Sequence, residues 1–316
     1  MNFKLKYSCE KILESSEIPW VKYNLGKSDE MKTKLLNDEF IKELIGESLQ
    51  WPDMPLLRHN DAKHIIHKIC MLLDFGMTYE DEPMKEIADK ILANQSDDGA
   101  FLTMLNISQN FGGTGENQLQ WIVCDFPILV YIMVKLGLQN DARVAKAIDF
   151  LKSISSDVGW RCVGSVEKFR GPGRKDDYCP YGTLVSLKAF ALLPQYHNDD
   201  FIKNGIDSIL KHWREQKERK VYMFGIGTDF RKLKYPNIWF DVVHVVGVLS
   251  HYEYAAKSKE FGEMAAIIAD KQQVSGGFIP ESVYMAYKQY DFGQKKTESD
   301  TLTYIIYNIF NQLKKY

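Results

Sequence analysis

Asp177, Cys179 and His244 are of the side-chain types that hold a zinc ion. Carboxylate, thiolate and imidazole are all zinc ligands, and three protein ligands leave the open fourth position of a catalytic metal. Asp177 and Cys179 stand two apart in "RKDDYCPYG" (174–182), where Pro180 opens an apolar run. Proline is favoured at the first helical position, so the pattern makes Cys179 the N-cap of a helix. A thiol at that positive end ionises more readily. His244 follows 65 residues after Cys179, in "WFDVVHVVGVLS". A helix starting near 238 puts His244 two turns in, with Asp241 one turn earlier on the same face, as an alternative ligand or as the group that orients the histidine. Cys162, in "GWRC", is an alternative to Asp177. The competing reading is metal-free: a polar loop with one core cysteine.

Other residues offer other chemistry. Asp125 lies inside the apolar run "WIVCDFPILVYIMVKLGL" (121–138), and a buried carboxylate there could protonate an alkene. His59, Asp61, His64 and His67 cluster in "RHNDAKHIIH" (58–67), either as metal ligands or as solvated positions on an amphipathic helix. Arg170, Arg174, Lys175, Arg231, Lys232 and Lys234 fall in two Gly-rich loops, "FRGPGRKDDYC" and "GIGTDFRKLKYPN". Backbone amides, helix N-termini and bases together suit a phosphate or diphosphate. Trp121, Tyr181 and Trp239 are candidate walls for the apolar part of such a ligand. "GIG" and "GPG" follow no strand, so neither is a nucleotide fingerprint.

These residues need elements to hold them, and a weak internal repeat supplies the plan. "ILANQSDDGAF" (91–101), "FLKSISSDVGW" (150–160) and "IADKQQVSGGF" (268–278) each end a helical pattern with Gln or Ser, a polar turn, and Gly beside an aromatic. Gly99 and Gly159 are 60 residues apart and Gly159 and Gly276 are 117, which places a degenerate fourth copy near residue 217. Helical periodicity predicts pairs at 61–76 with 83–95, 121–136 with 141–154, 181–193 with 199–217 and 238–255 with 259–273, then a last helix at 299–315. Helices near 8–15 and 30–49 precede them, and strand alternation is almost absent. Five or six helical hairpins at this period form a solenoid or a ring. In a ring, helices starting near 61, 121, 180, 238 and 300 share one rim. Gly-rich loops precede these starts, and four of the five loops carry bases.

The segment "AIDFLKSISSDVGW" (147–160) resembles the glutamine–tryptophan repeat of squalene and oxidosqualene cyclases, with Ser155 at the glutamine position. The chain as a whole resembles prokaryotic prenyltransferase-like proteins of the terpenoid cyclase and protein prenyltransferase superfamily. The stretches that carry this likeness include "RHNDAKHIIHKI", "GWRC", "FRGPGR" and "FGIGTDFRKLKYP". The resemblance implies an all-α (α/α)6 toroid over residues 51–316, with residues 1–50 as helices packed on the ring. It implies zinc at Asp177, Cys179 and His244, as in protein farnesyl- and geranylgeranyltransferases, and diphosphate contacts by Arg170 and Arg174. It departs from that family at Pro180, which stands where the family has an aromatic. The protonating Asp-x-Asp-Asp motif of class II terpene cyclases is absent.

The function expected from the residues and the likeness together is isoprenoid chemistry: prenyl transfer or terpenoid cyclisation on an apolar anionic ligand, with Asp125 and Asp241 as candidate catalytic carboxylates. The alternative is a non-catalytic toroid that binds a lipid or a protein. A protein prenyltransferase would also need a partner subunit.

Composition sets outer bounds. The chain has 316 residues, 45% hydrophobic and 26% charged, with a formal net charge of −2. That is ordinary globular composition, and it supplies no basic field for nucleic acid. Asp125, Pro127 and Lys135 interrupt the most apolar run, which reads as a buried helix rather than a membrane span. The first residues form no apolar leader, and five scattered cysteines read as reduced thiols, so the expected location is cytoplasmic.

Overall fold

The computed structural model describes residues 3–171, 176–221 and 223–316. Arg174 and Lys175 of the expected anion loop lie outside the described residues. The fold is mostly helical, with few strands. The helices are α1 (Glu10–Ser15), α2 (Pro19–Gly26), α3 (Asp29–Asn37), α4 (Glu39–Ser48), α5 (Ile65–Asp74), α6 (Glu82–Leu92), α7 (Phe126–Lys135), α8 (Ala142–Ser153), α9 (Pro180–Phe190), α10 (Asp200–Arg214), α11 (Val242–Leu249), α12 (Glu253–Ala256), α13 (Lys259–Ala269) and α14 (Asp300–Leu313). None is long and apolar enough to cross a membrane.

The chain forms two compact units. One comprises Met1–Glu43, Asp74–Gly76 and Ile226–Tyr316; the other comprises Leu44–Leu73 and Met77–Gly225. In the first unit, α11 packs on α13 and α14, and α14 also packs on α1 and α2. In the second, α7 lies between α8 and α9, and α9 packs on α10. In α7 every residue from Phe126 to Val134 is buried, and in α9 every residue but Lys188. Helices apolar all round belong in a core.

The helices anticipated at 61, 121, 180, 238 and 300 begin at Ile65, Phe126, Pro180, Val242 and Asp300. Pro180 and Asp300 match. The others start late because the preceding residues form capping turns. Asp241 Oδ1 accepts from the His244 backbone N–H at 3.0 Å and so caps α11. His244 therefore sits in the first turn of its helix, not two turns in. The stretch expected as one helix over 30–49 is two, α3 and α4. Asp38 breaks it, because its Oδ1 accepts from the N–H groups of Phe40 and Ile41 and starts a new helix.

The repeat is a recurring turn. Gly99, Gly159 and Gly276 have φ of 107°, 83° and 99°, a region that favours glycine. In each copy a polar side chain donates to the glycine carbonyl: Gln95 to Gly99 at 2.8 Å, Ser156 to Gly159 at 2.7 Å and Gln272 to Gly276 at 2.8 Å. In the middle copy Ser156 makes this bond, while Ser155 bonds back to the carbonyl of Lys152.

The strands form two small antiparallel pairs in the second unit. β1 (Thr103–Asn106) pairs with β2 (Asn117–Gln120), with Thr103 opposite Gln120; β3 (Ser155–Ser156) pairs with β4 (Gly159–Trp160). The first pair closes the loop 107–116, which precedes the turn into α7.

Candidate functional site

The second unit gathers an acid, an imidazole and three thiols from separate parts of the chain. Asp125 is the residue before α7. It is 1% exposed, and its side chain does not cap the helix. Its Oδ1 lies 2.9 Å from His59 Nδ1. Its Oδ2 is buried and has no hydrogen-bond partner. A buried polar atom left unpaired is costly, which marks this oxygen as one that a ligand or a reacting group can use.

His59 lies in the loop before α5 and is 30% exposed. Burial works against its charged form. The Asp125 carboxylate, the hydrogen bond to it and the nearby Cys179 together outweigh burial, so the ring holds a proton more tightly than an ordinary histidine. The backbone of His59 is fixed from beneath: His67 Nε2–H donates to its carbonyl at 2.9 Å. His64 Nε2–H likewise donates to the carbonyl of Met54 at 3.0 Å. His64 and His67 are buried rather than solvated, and both serve backbone carbonyls. Burial, with the neighbouring His64 adding to it, pushes the His67 ring down to about 3.

The thiols are Cys124, Cys162 and Cys179. Cys124 stands in the turn before α7 and Cys162 just after β4. Cys179 caps α9 as the Cys-Pro pair predicts, its Sγ accepting from the Gly182 N–H at 3.3 Å. The sulfurs of Cys124 and Cys179 are 3.9 Å apart. The Cys162 thiol is near enough to influence the ionisation of both. No local signal in the sequence joins these three positions. The run "CD" at 124–125 was legible only as a buried acid, and its cysteine went unremarked.

The remaining candidates are held as follows. Asp177 forms an ion pair with Arg219. Among the described residues no group of three or more His, Cys, Asp or Glu side chains is placed to hold a metal ion. His244 belongs to the first unit, where its Nδ1–H donates to the carbonyl of Trp239 at 2.8 Å. Asp241 is fully buried, with Lys234 Nζ 3.8 Å from its Oδ2. Burial raises its carboxyl to about 6, against the opposing pull of Lys234.

The expected anion-binding bases among the described residues bond to other groups of the protein. Arg170 Nε–H donates to the carbonyl of Asn110 at 3.1 Å. Arg231 donates to the carbonyls of Ile226 and Gly227, and Lys232 pairs with Asp229 at 3.3 Å. Trp121 packs edge-on against Phe126 and Phe150, and Tyr181 is 1% exposed.

No protein-family model and no curated protein sequence matches the chain. Among solved structures it is similar to two variants of the type II terpene cyclase MstE from Scytonema, each in complex with geranylgeranyl dihydroxybenzoate as substrate. The identities are 10% and 11%, the TM-scores 0.33 and 0.34, and both comparisons cover 87% of this chain and 97% of the other.

Proposed function

We propose that the chain is an isoprenoid-handling enzyme in which Asp125 protonates a carbon–carbon double bond and so starts a cyclisation. The reading takes the helical hairpins as an (α/α)6 toroid and the substrate as a linear polyprene with an anionic or polar head. The observation that carries it is the Asp125 carboxyl itself: 1% exposed, one oxygen bonded to His59 and the other without a partner. Oδ2, with no partner in the protein, is the oxygen from which a proton can pass to an alkene. As the proton leaves, the negative charge spreads onto Oδ1, where the His59 N–H already donates. That hydrogen bond strengthens as the charge develops, which is the form of stabilisation that lowers a barrier. His59, partly exposed, gives the carboxylate a route to recover a proton from water after the cation has been quenched.

The test is turnover of linear polyprenes and polyprenyl diphosphates in deuterated water. Protonation of an alkene leaves one deuterium in the cyclised product and releases no diphosphate. Asp125→Asn, which preserves shape and the acceptor for His59, is expected to lower the rate by about 10²–10⁴-fold. Diphosphate release without deuterium uptake, or an unchanged rate in Asp125→Asn, would overturn the proposal. Failure to turn over any such compound would favour a toroid that only binds lipid.

A further inference from the structure

We propose that the cleft between the N-terminal segment and α14 binds a single-chain lipid carboxylate, with its chain on the apolar floor and its head between Lys4 and Lys314. The cleft lies wholly in the first unit and shares no residue with the cyclisation proposed above, so the two readings are tested separately.

The cleft encloses about 770 Å³, within the ~300–1,000 Å³ typical of pockets that hold a small-molecule ligand. Two elements form it. Tyr307, Asn311 and Lys314 recur at i, i+4 and i+7 along the end of α14 and so share one of its faces. Opposite runs the segment 3–8, where Phe3, Leu5 and Tyr7 alternate with Lys4 and Lys6; Phe3 and Leu5 are half-buried and the lysines exposed. That segment is anchored away from α14. Phe3 packs edge-on against Phe261 at 5.3 Å, and Lys6 pairs with Asp270 at 2.8 Å. The Gln272 side chain donates to the Tyr7 carbonyl and accepts the Tyr7 N–H, each at 2.9 Å. Phe261, Asp270 and Gln272 all belong to α13 or the turn after it. Among the described residues no hydrogen bond or ion pair joins residues 3–8 to α14. Two walls with separate attachments leave a groove between them.

The floor and the rim of this groove differ in chemistry. Cys9, Phe310 and Leu313 are buried, and the Cys9 thiol donates to the Gly276 carbonyl at 3.2 Å. Lys4, Lys6 and Lys314 are exposed, and among the described residues Glu10 is the one acid lining the cleft with them. Asp270 meets the charge of Lys6, whereas Lys4 and Lys314 form no ion pair among the described residues. A cationic rim over an apolar floor is the complement of an amphipathic anion. Two separate ammonium groups suit the two oxygens of one carboxylate. A doubly charged phosphate fits less well, because the last carbonyls of α14 bring that helix's negative end to the same rim.

The test is displacement of cis-parinaric acid, a fluorescent long-chain carboxylate, from the full chain. The competitors are dodecanoate, dodecyltrimethylammonium and dodecyl phosphate, all below their micelle concentrations. Dodecanoate is expected to compete about tenfold better than the cation of equal chain length. Lys4→Gln with Lys314→Gln, two exposed changes, should weaken dodecanoate about tenfold and leave the cation no weaker. Asn311→Trp fills the cleft from a half-buried position and should remove one equivalent of bound parinarate. No parinarate binding, equal competition by anion and cation, or binding unchanged in both variants would overturn the proposal. So would stronger competition by dodecyl phosphate. Sedimentation with phosphatidylglycerol vesicles, without competition by dodecanoate, would assign the lysines to a membrane surface and overturn it as well. Should Asn311→Trp not fold, the paired lysine variant decides.

Discussion

Replacing His67 with glutamine should change how the protein's stability depends on pH, and in a calculable direction. His67 is 4% exposed, donates Nε2–H to the His59 carbonyl at 2.9 Å, and is pushed down to about 3, chiefly by burial. In the unfolded chain the ring titrates near 6.5. Between these values the unfolded state takes up a proton that the folded state refuses. His67 therefore costs stability as pH falls below about 6.5, and the loss continues until the folded ring itself protonates near 3. From pH 7.5 to 5.0 the unfolded ring gains about 1.5 pH units' worth of binding, or about 2 kcal/mol at ~1.4 kcal/mol per unit. Glutamine can still donate to the His59 carbonyl but has no proton to gain. The assay is urea unfolding of both proteins at pH 5.0 and 7.5. The wild type should lose about 2 kcal/mol more than His67→Gln over that interval, whatever the variant costs at neutral pH. Histidines common to both chains cancel in the difference. Parallel pH dependences, agreeing within ~0.5 kcal/mol, would show that His67 is not a buried neutral ring.

The repeated turn gives further expectations. Gly276→Ala places a side chain at φ 99°, with its Cβ 2.1 Å from the carbonyl oxygen of Ser8, so thermal unfolding should report a loss above ~2 kcal/mol. Gly137→Ala, also at positive φ but with open space around the new Cβ, should cost only the backbone strain of ~1–2 kcal/mol. Gln272→Ala removes bonds to the carbonyls of Gly276 and Tyr7 and the acceptor for the Tyr7 N–H, and should expose the segment near Tyr7 to limited proteolysis. Arg219→Gln removes an ion pair whose arginine side chain is 38% exposed and whose aspartate is 18% exposed, and should shift stability by about 1 kcal/mol in denaturant titration.

The sequence by itself was enough for the local devices. Apolar periodicity located the buried helices α7 and α9, the Cys-Pro pair located a cap at Cys179, and the glycines at 99, 159 and 276 marked turns that need positive φ. Each of these signals acts within a few residues, where helix spacing and backbone sterics operate. The start of α11 slipped from 238 to 242, where the Asp241 side chain took a free N–H group, and the stretch 30–49 split in two where Asp38 did the same.

The partners of the chemical groups were a different matter. Asp125 was legible as a buried acid, but its histidine lies 66 residues upstream, in the loop before α5. The three thiols come from three segments with no spacing in common. Asp177 and Cys179 stand two apart in sequence, yet one faces Arg219 and the other faces Cys124. A residue's type and local backbone are set by the chain around it. Which charge or thiol it meets is decided by helices brought together from distant parts of the sequence, because apolar burial drives that packing without regard to the polar groups it carries along.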